Sequence, residues 1–167
     1  MKPFDFCKKV YKKENDSTEH VAIKKIDFSA LKKENFKLNN MQIDTEVGDV
    51  FKVLENMVNQ KDKTYDFIIL DPPAFTKSRK TIDSALKGYE EINYLAMKAL
   101  PRGGFLATAT CSHFASEEMF KKALMNASIK ADVKLKQVSF TGPAPDHPEL
   151  WNVPETKYLK FFIFQII

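Results

Sequence analysis

The sequence predicts an α/β fold with a mostly parallel sheet and an antiparallel last strand. Three observations carry this expectation. Strand-like apolar runs alternate with helix-period segments from about residue 21 to residue 130, the pattern of βα units in a layered sheet with helices on both faces. The run Phe67-Ile-Ile-Leu70 is apolar at every position, as a strand covered on both faces would be. The last two strand patterns follow one another without a helix between them. Their long connecting loop permits a reversal, which places an antiparallel strand at the sheet edge.

In order along the chain, Lys2 to Cys7 reads as a short strand, and Lys8 to His20 is lysine-rich without amphipathic period. Val21 to Ile26 reads as a strand ending at Asp27, and Ser29 is a helix N-cap candidate for a helix to about Asn39. Met41 to Val47 is a short strand ending at Gly48-Asp49, and Phe51, Val53, Leu54, Met57 and Val58 are spaced for a helix. After Phe67–Leu70 come Asp71 and two prolines, which lack the N–H groups that a strand ladder needs. Ser84 to Leu100 places Leu86, Tyr89, Ile92, Leu95, Ala96 and Ala99 mostly on one helix face. Pro101-Arg-Gly-Gly104 turns into a buried strand over Phe105–Cys111, and Ser116 starts another helix. Ala131 to Thr141 alternates as a strand, Gly142 to Pro148 is a proline-rich loop, and Leu159 to Ile167 is the final strand.

Composition narrows the function classes. The 167 residues are 44% hydrophobic and 29% charged, which suits one globular domain rather than a disordered chain. No apolar run is long enough to span a bilayer, and no secretory h-region is evident. Cys7 and Cys111 are only two thiols and form no metal-type cluster, so no metal is expected and a reduced, cytoplasmic setting is the simplest reading. A net charge of +4 permits a polyanionic partner without requiring one.

The chemistry is expected at the strand ends, since open α/β sheets bind ligands outside the carboxyl ends of their strands. Asp27, Asp49 and Asp71 each follow a strand. Asp27 suits either a ribose diol, through two O–H bonds to one carboxylate, or the N-terminus of the following helix. Asp49 is better suited to capping. Asp71 is held by Pro72 and Pro73, with Phe75 placed to cover a planar ring; a rigid turn is the plainer alternative. Cys111, in Thr110-Cys-Ser-His113, is either a nucleophile or an inert buried thiol. His113 can orient or deprotonate a neighbour, or simply sit in a surface loop. Asp146 and His147 can pair nearby.

Taken together, residues 65–114 and 141–162 resemble the catalytic domain of bacterial class I S-adenosylmethionine (SAM)-dependent 23S rRNA (cytosine-5-)methyltransferases. The resemblance rests on Asp71-Pro-Pro-Ala-Phe-Thr-Lys-Ser78, Gly88-Tyr-Glu-Glu-Ile-Asn93, Pro101-Arg-Gly-Gly104, Thr110-Cys-Ser-His-Phe114, Asp146-His-Pro148 and Tyr158-Leu-Lys160. Upstream, Ile26-Asp-Phe-Ser29, Glu34-Asn35, Leu38-Asn39 and Gly48-Asp-Val-Phe51 resemble the family's second and third cofactor motifs. It implies a Rossmann-like fold with Cys111 as nucleophile toward cytosine C6 and Asp71 on the base edge. Asp27, Phe28, Asp49, Val50, Phe51 and Asp71 would line the cofactor pocket. Pro72, Pro73, Phe75, Lys77, Arg79 and His113 would meet the RNA, with Lys80 a further phosphate contact.

The start of the chain departs from that family. Its first motif is a glycine-rich turn, and the first 47 residues contain no glycine. We therefore expect residues 1–20 to be a degenerate or replaced start and 21–167 to be the catalytic domain. The first strand would be short or missing, and the cofactor side impaired. An open central slot in the sheet predicts weak stability or association, a homodimer being one form of it. Two alternatives use the same residues: an inactive remnant that binds RNA without methyl transfer, and an N-methyltransferase acting on an exocyclic amine.

Overall fold

The computed structural model describes Leu38 and residues 48–60, 65–76 and 78–167. The expected strands over 2–7, 21–26 and 41–47 lie outside those residues. So does the expected helix over 29–39, except for Leu38, which is helical and exposed. The chain divides into two units, residues 1–49 and 50–167.

The second unit begins with helix α1, Val50–Asn59, which buries Leu54 and packs Phe51 and Met57 against the core. Strand β1, Phe67–Leu70, follows. Helix α2, Ile82–Ala99, buries the stripe expected from its spacing, including Tyr89, Ile92, Leu95 and Ala96. Asp83 in its first turn and Lys98 in its last complement the helix dipole. Leu100 is already extended ahead of Pro101, which disfavours a helical preceding residue. Gly103 then takes φ +89°, a conformation costly for any residue with a Cβ.

Strand β2, Phe105–Thr110, is buried from Leu106 onward. Helix α3, Glu117–Ala131, starts at Ser116, whose Oγ accepts from the Met119 N–H at 3.2 Å. It runs on to Ala131, where a strand was expected. The left-handed Asp132, φ 55°, ends it, and strand β3 starts only at Leu135 and runs to Thr141. Strand β4, Lys160–Ile166, completes the sheet.

The strand order is β1-β2-β4-β3. β1 and β2 are parallel, and β4 runs antiparallel to both β2 and β3. Three of the four described strands therefore share a direction and the last is reversed, as the sequence predicts. Its position differs from expectation: β4 lies inside the sheet rather than at its edge. The burial of Lys160, Phe162, Phe164 and Ile166 explains this, since a strand this apolar is covered best with neighbours on both sides. The more polar β3 takes the edge.

The expectation of two covered faces is corrected for β1. Ile68 and Leu70 point toward the core shared with α1, α2 and α3, while Phe67 and Ile69 on the other face are 44% and 66% exposed. The three described helices all pack on the face carrying Leu70, Leu106, Phe162 and Phe164. Aromatic rings run through this layer in sequence: Phe51, Phe75, Tyr89, Phe120 and Phe162, with centroids 4.6–6.4 Å apart.

Candidate active site

Two loops meet beyond the parallel strand ends. One, Asp71 to Thr76, leaves β1; the other, Cys111 to Ala115, leaves β2. Their relation follows from register: Leu70 pairs with Thr108, and β2 continues two residues further before Cys111. Asp71 and Cys111 are both exposed, so a carboxylate and a thiol stand open at neighbouring strand ends.

Beneath the exposed groups lies a buried polar frame. Tyr89, with no accessible surface, reaches up from α2. Its hydroxyl accepts from Thr110 Oγ1 at 2.8 Å and, more weakly, from the Phe75 N–H at 3.4 Å. One phenol thus ties the end of β2 to the loop after β1. Burial raises the Tyr89 pKa against the opposing effect of its hydrogen bonds to Thr110 and Phe75, so the phenol stays neutral. Thr110 Oγ1 also accepts from the Ser112 N–H at 3.3 Å, and Ser112 Oγ reaches the Thr76 carbonyl at 3.5 Å. Gly88 matters here, because a Cβ there would lie 3.1 Å from the Phe75 ring.

Lys160 fixes the second loop from β4. Its buried Nζ donates to the carbonyls of Ser112 at 2.9 Å, Ala115 at 2.8 Å and Tyr158 at 3.3 Å. Desolvation lowers its pKa, and the charges of Glu117, Glu149 and Cys111 partly oppose that. Three carbonyls match the three donors of an ammonium group. Residues on both sides of Cys111 are therefore fixed while its sulfur remains open.

Beside this frame is a cleft of about 480 Å³. Arg79 comes from the 3₁₀ turn before α2, His113 and Phe114 from the β2 loop, Met119 from α3, and Pro154 with Glu155 from the loop before β4. The structure thus brings Arg79 and His113 to one place. Pro72 and Phe75 are partly buried, and Pro73 is exposed beside Asp71. Val50 and Phe51 open α1, and the Phe51 ring lies 6.4 Å from that of Phe75. Asp49 is exposed one residue earlier. Asp146 and His147 do pair, at 3.2 Å, but both are largely exposed and neither lines the cleft. Asp27, Phe28 and Lys77 lie outside the described residues.

Sequence reasoning missed the frame. Tyr89 and Lys160 lie in two of the motifs quoted above, but the sequence assigned neither of them a role. The available signal was a polar atom at a register that must be buried, which demands a partner.

With this geometry in view, comparison with solved structures is informative. The chain aligns with a provisionally assigned methyltransferase complexed with S-adenosylhomocysteine, at TM-score 0.65 and 23% identity over 81% of this chain and 36% of the other. A provisionally assigned SAM-dependent methyltransferase of Streptococcus mutans aligns at TM-score 0.66 and 24% identity. The fold is that of a class I methyltransferase. Among sequence relatives of this methyltransferase fold, a provisionally assigned ribosomal RNA large subunit methyltransferase of Methanocaldococcus jannaschii is 37% identical over 139 residues, 81% of this chain. Ribosomal RNA large subunit methyltransferase I of Erwinia tasmaniensis is 34% identical over 138 residues. The chain spans about a third of the length of these relatives, 35% in both cases. No protein-family model matches it.

Proposed function

We propose that this chain carries the methyl-transfer site of a SAM-dependent methyltransferase acting on large-subunit ribosomal RNA in a cytoplasmic setting, at C5 of a cytosine in 23S rRNA. The observation that carries the proposal is the exposed pair Asp71 and Cys111, mounted on adjacent parallel strand ends over the Tyr89 and Lys160 frame. The relatives' names support ribosomal RNA as the substrate class.

The residues at the start of α1 and the end of β1 fit the cofactor. An exposed carboxylate, Asp71, stands at the strand end, and Val50, 43% exposed, opens the helix whose next residue, Phe51, faces Phe75. When bound, SAM supplies an electrophilic methyl group. Val50 and Phe51 would flank its adenine, with Asp71 at the edge of the pocket.

The chain's own chemistry then concerns the base. C5 of cytosine is a weak nucleophile. The Cys111 thiolate adds to C6, and the electron pair of the C5–C6 double bond moves to C5, which becomes nucleophilic. Asp71 accepts from the exocyclic amine and stabilises the charge redistributed through the ring. After methylation the C5 proton passes to a base, for which His113 stands two residues from Cys111, and the S–C6 bond breaks to restore the thiolate. The base must leave its stack to reach an open strand end of this kind. Pro72, Pro73, Lys77 and Arg79 would meet the surrounding RNA, whereas the Phe75 ring, expected to do so, is packed between Phe51 and Tyr89 in the core layer.

Labelled SAM and cytosine-containing ribosomal RNA fragments provide the test. Mass analysis is expected to show 5-methylcytosine with the native chain and none with Cys111→Ala. Transfer that survives Cys111→Ala and yields an N-methyl base would overturn the C5 reading. Calorimetric titration with SAM checks the cofactor side separately: micromolar binding would show that the pocket is built despite the glycine-free start, and no measurable heat would favour the inactive remnant.

A further inference from the structure

The loop between β3 and β4 ends in a turn that the methyl-transfer chemistry does not use. Leu150 to Val153 closes as a tight turn, with the Val153 N–H donating to the Leu150 carbonyl at 2.9 Å and an isolated bridge between the two residues. Thr156 staples it from below: its hydroxyl accepts from the Leu150 N–H at 2.8 Å and donates to the Val153 carbonyl at 2.8 Å. Pro154 opens the 3₁₀ turn that brings Thr156 into place. At the tip of this braced turn Trp151 is 100% exposed, with Leu150 at 50% and Val153 at 37% beside it.

We propose that the Trp151 turn is a stacking platform for a nucleobase of single-stranded RNA, flanking the base that is methylated. A lone exposed apolar side chain needs no explanation. Here three of four turn residues are apolar and open, and a side-chain hydroxyl is spent on holding the backbone that presents them. A fully exposed indole on a braced backbone offers a planar face, and every base has a face to stack on it.

Charge and chain continuity favour RNA as the occupant. Pro154 and Glu155, which follow the turn directly, line the cleft that also holds Arg79, His113 and Phe114. Arg79 supplies a cation for a phosphate, and His113 and Phe114 supply rings. The Glu155 carboxylate repels phosphate but accepts from an exocyclic base amine, so the cleft suits a base with its backbone on the Arg79 side. Asp146, Glu149 and Glu155 around the turn are acidic and exposed, which likewise places the phosphates on the Arg79 side rather than at Trp151.

This inference rests on the RNA reading above, and the test separates the two. Trp151 is the chain's single tryptophan, so its emission reports on this turn alone. Titrating a fluorescein-labelled, cytosine-containing single-stranded RNA oligonucleotide into the native chain is expected to quench that emission as anisotropy rises. Trp151→Ala is expected to weaken binding roughly 5- to 100-fold, with Trp151→Phe retaining most of the affinity. The salt dependence should be the same in all three, because stacking releases no counterions. Binding with unquenched Trp151 and unchanged affinity in Trp151→Ala overturns the platform and leaves RNA methylation standing. Absence of any oligonucleotide binding by the native chain overturns both. If Trp151→Ala instead changes the sedimentation of the chain while RNA affinity is unaltered, the turn is a protein contact and the proposal fails.

Discussion

Strands β1 and β2 are parallel neighbours in one sheet, each ends at a candidate catalytic residue, and yet they are held very differently. β2 pairs on both edges, with β1 and β4, and Leu106 to Thr110 are almost fully buried. Among the described residues β1 pairs with β2 alone and alternates between buried and exposed positions. The residues around Cys111 are fixed by Thr110, Lys160 and Ser112, whereas Asp71 depends on two prolines and on the Tyr89 contact to Phe75. Positioning strength thus falls from the nucleophile side of the site to the side that meets cofactor and base edge.

That gradient can be challenged by substitution. The largest effect is expected in the aromatic layer: Phe162→Ala, at a fully buried position, should lower unfolding free energy by about 3–5 kcal/mol in denaturant titration. A value below 1 kcal/mol would remove the basis for calling this side the rigid one. Tyr89→Phe keeps the ring and deletes the shared hydroxyl, leaving the Thr110 hydroxyl and the Phe75 N–H without it. A loss of about 1–3 kcal/mol is expected, along with altered exchange of the Phe75 amide. An unchanged melting curve would show that the two loops are not tied through this phenol.

A smaller, pH-dependent effect is expected between α2 and α3. Glu90 pairs with Lys130 and accepts from Asn126 at 3.0 Å, and these bonds hold its pKa below the ordinary 4.5. Its contribution is therefore complete above pH 4.5 and is lost as pH falls through the lowered folded value. Glu90→Gln should flatten this part of the acid limb, and identical acid profiles would exclude the contribution. The smallest change belongs to β1. Ile69→Ala removes a side chain that is 66% exposed and should stay within about 0.5 kcal/mol of the native chain. A loss above 2 kcal/mol would show that β1's outer face is covered in solution.

Much of this was legible beforehand because it depends on local rules. Period and breaker residues marked α2, α3, β1 and β2, and the two prolines after Asp71 marked the end of β1. The reversal of the last strand could be inferred from the missing helix. Its insertion between β2 and β3 could not, since that choice depends on which strand has more apolar surface to cover from both sides. Cys111 and Asp71 stood out because reactive groups at strand ends are conspicuous in a string of letters. Tyr89 and Lys160 did not, because their importance lies in hydrogen bonds spanning 21 and 48 residues respectively. The extension of α3 to Ala131 was missed for a smaller reason: Asp132 accepts a left-handed conformation that usually signals glycine or asparagine.

Pro72 and Pro73 have a second effect, on self-association. An unpaired strand edge is a template on which another chain can grow a sheet. Among the described residues β1 pairs only with β2, over Phe67–Leu70; Asp71 still carries an N–H, and the consecutive prolines remove the two donors after it. The same pair of residues that stations Asp71 at the strand end therefore keeps a hydrogen-bonded ladder from running on beyond it.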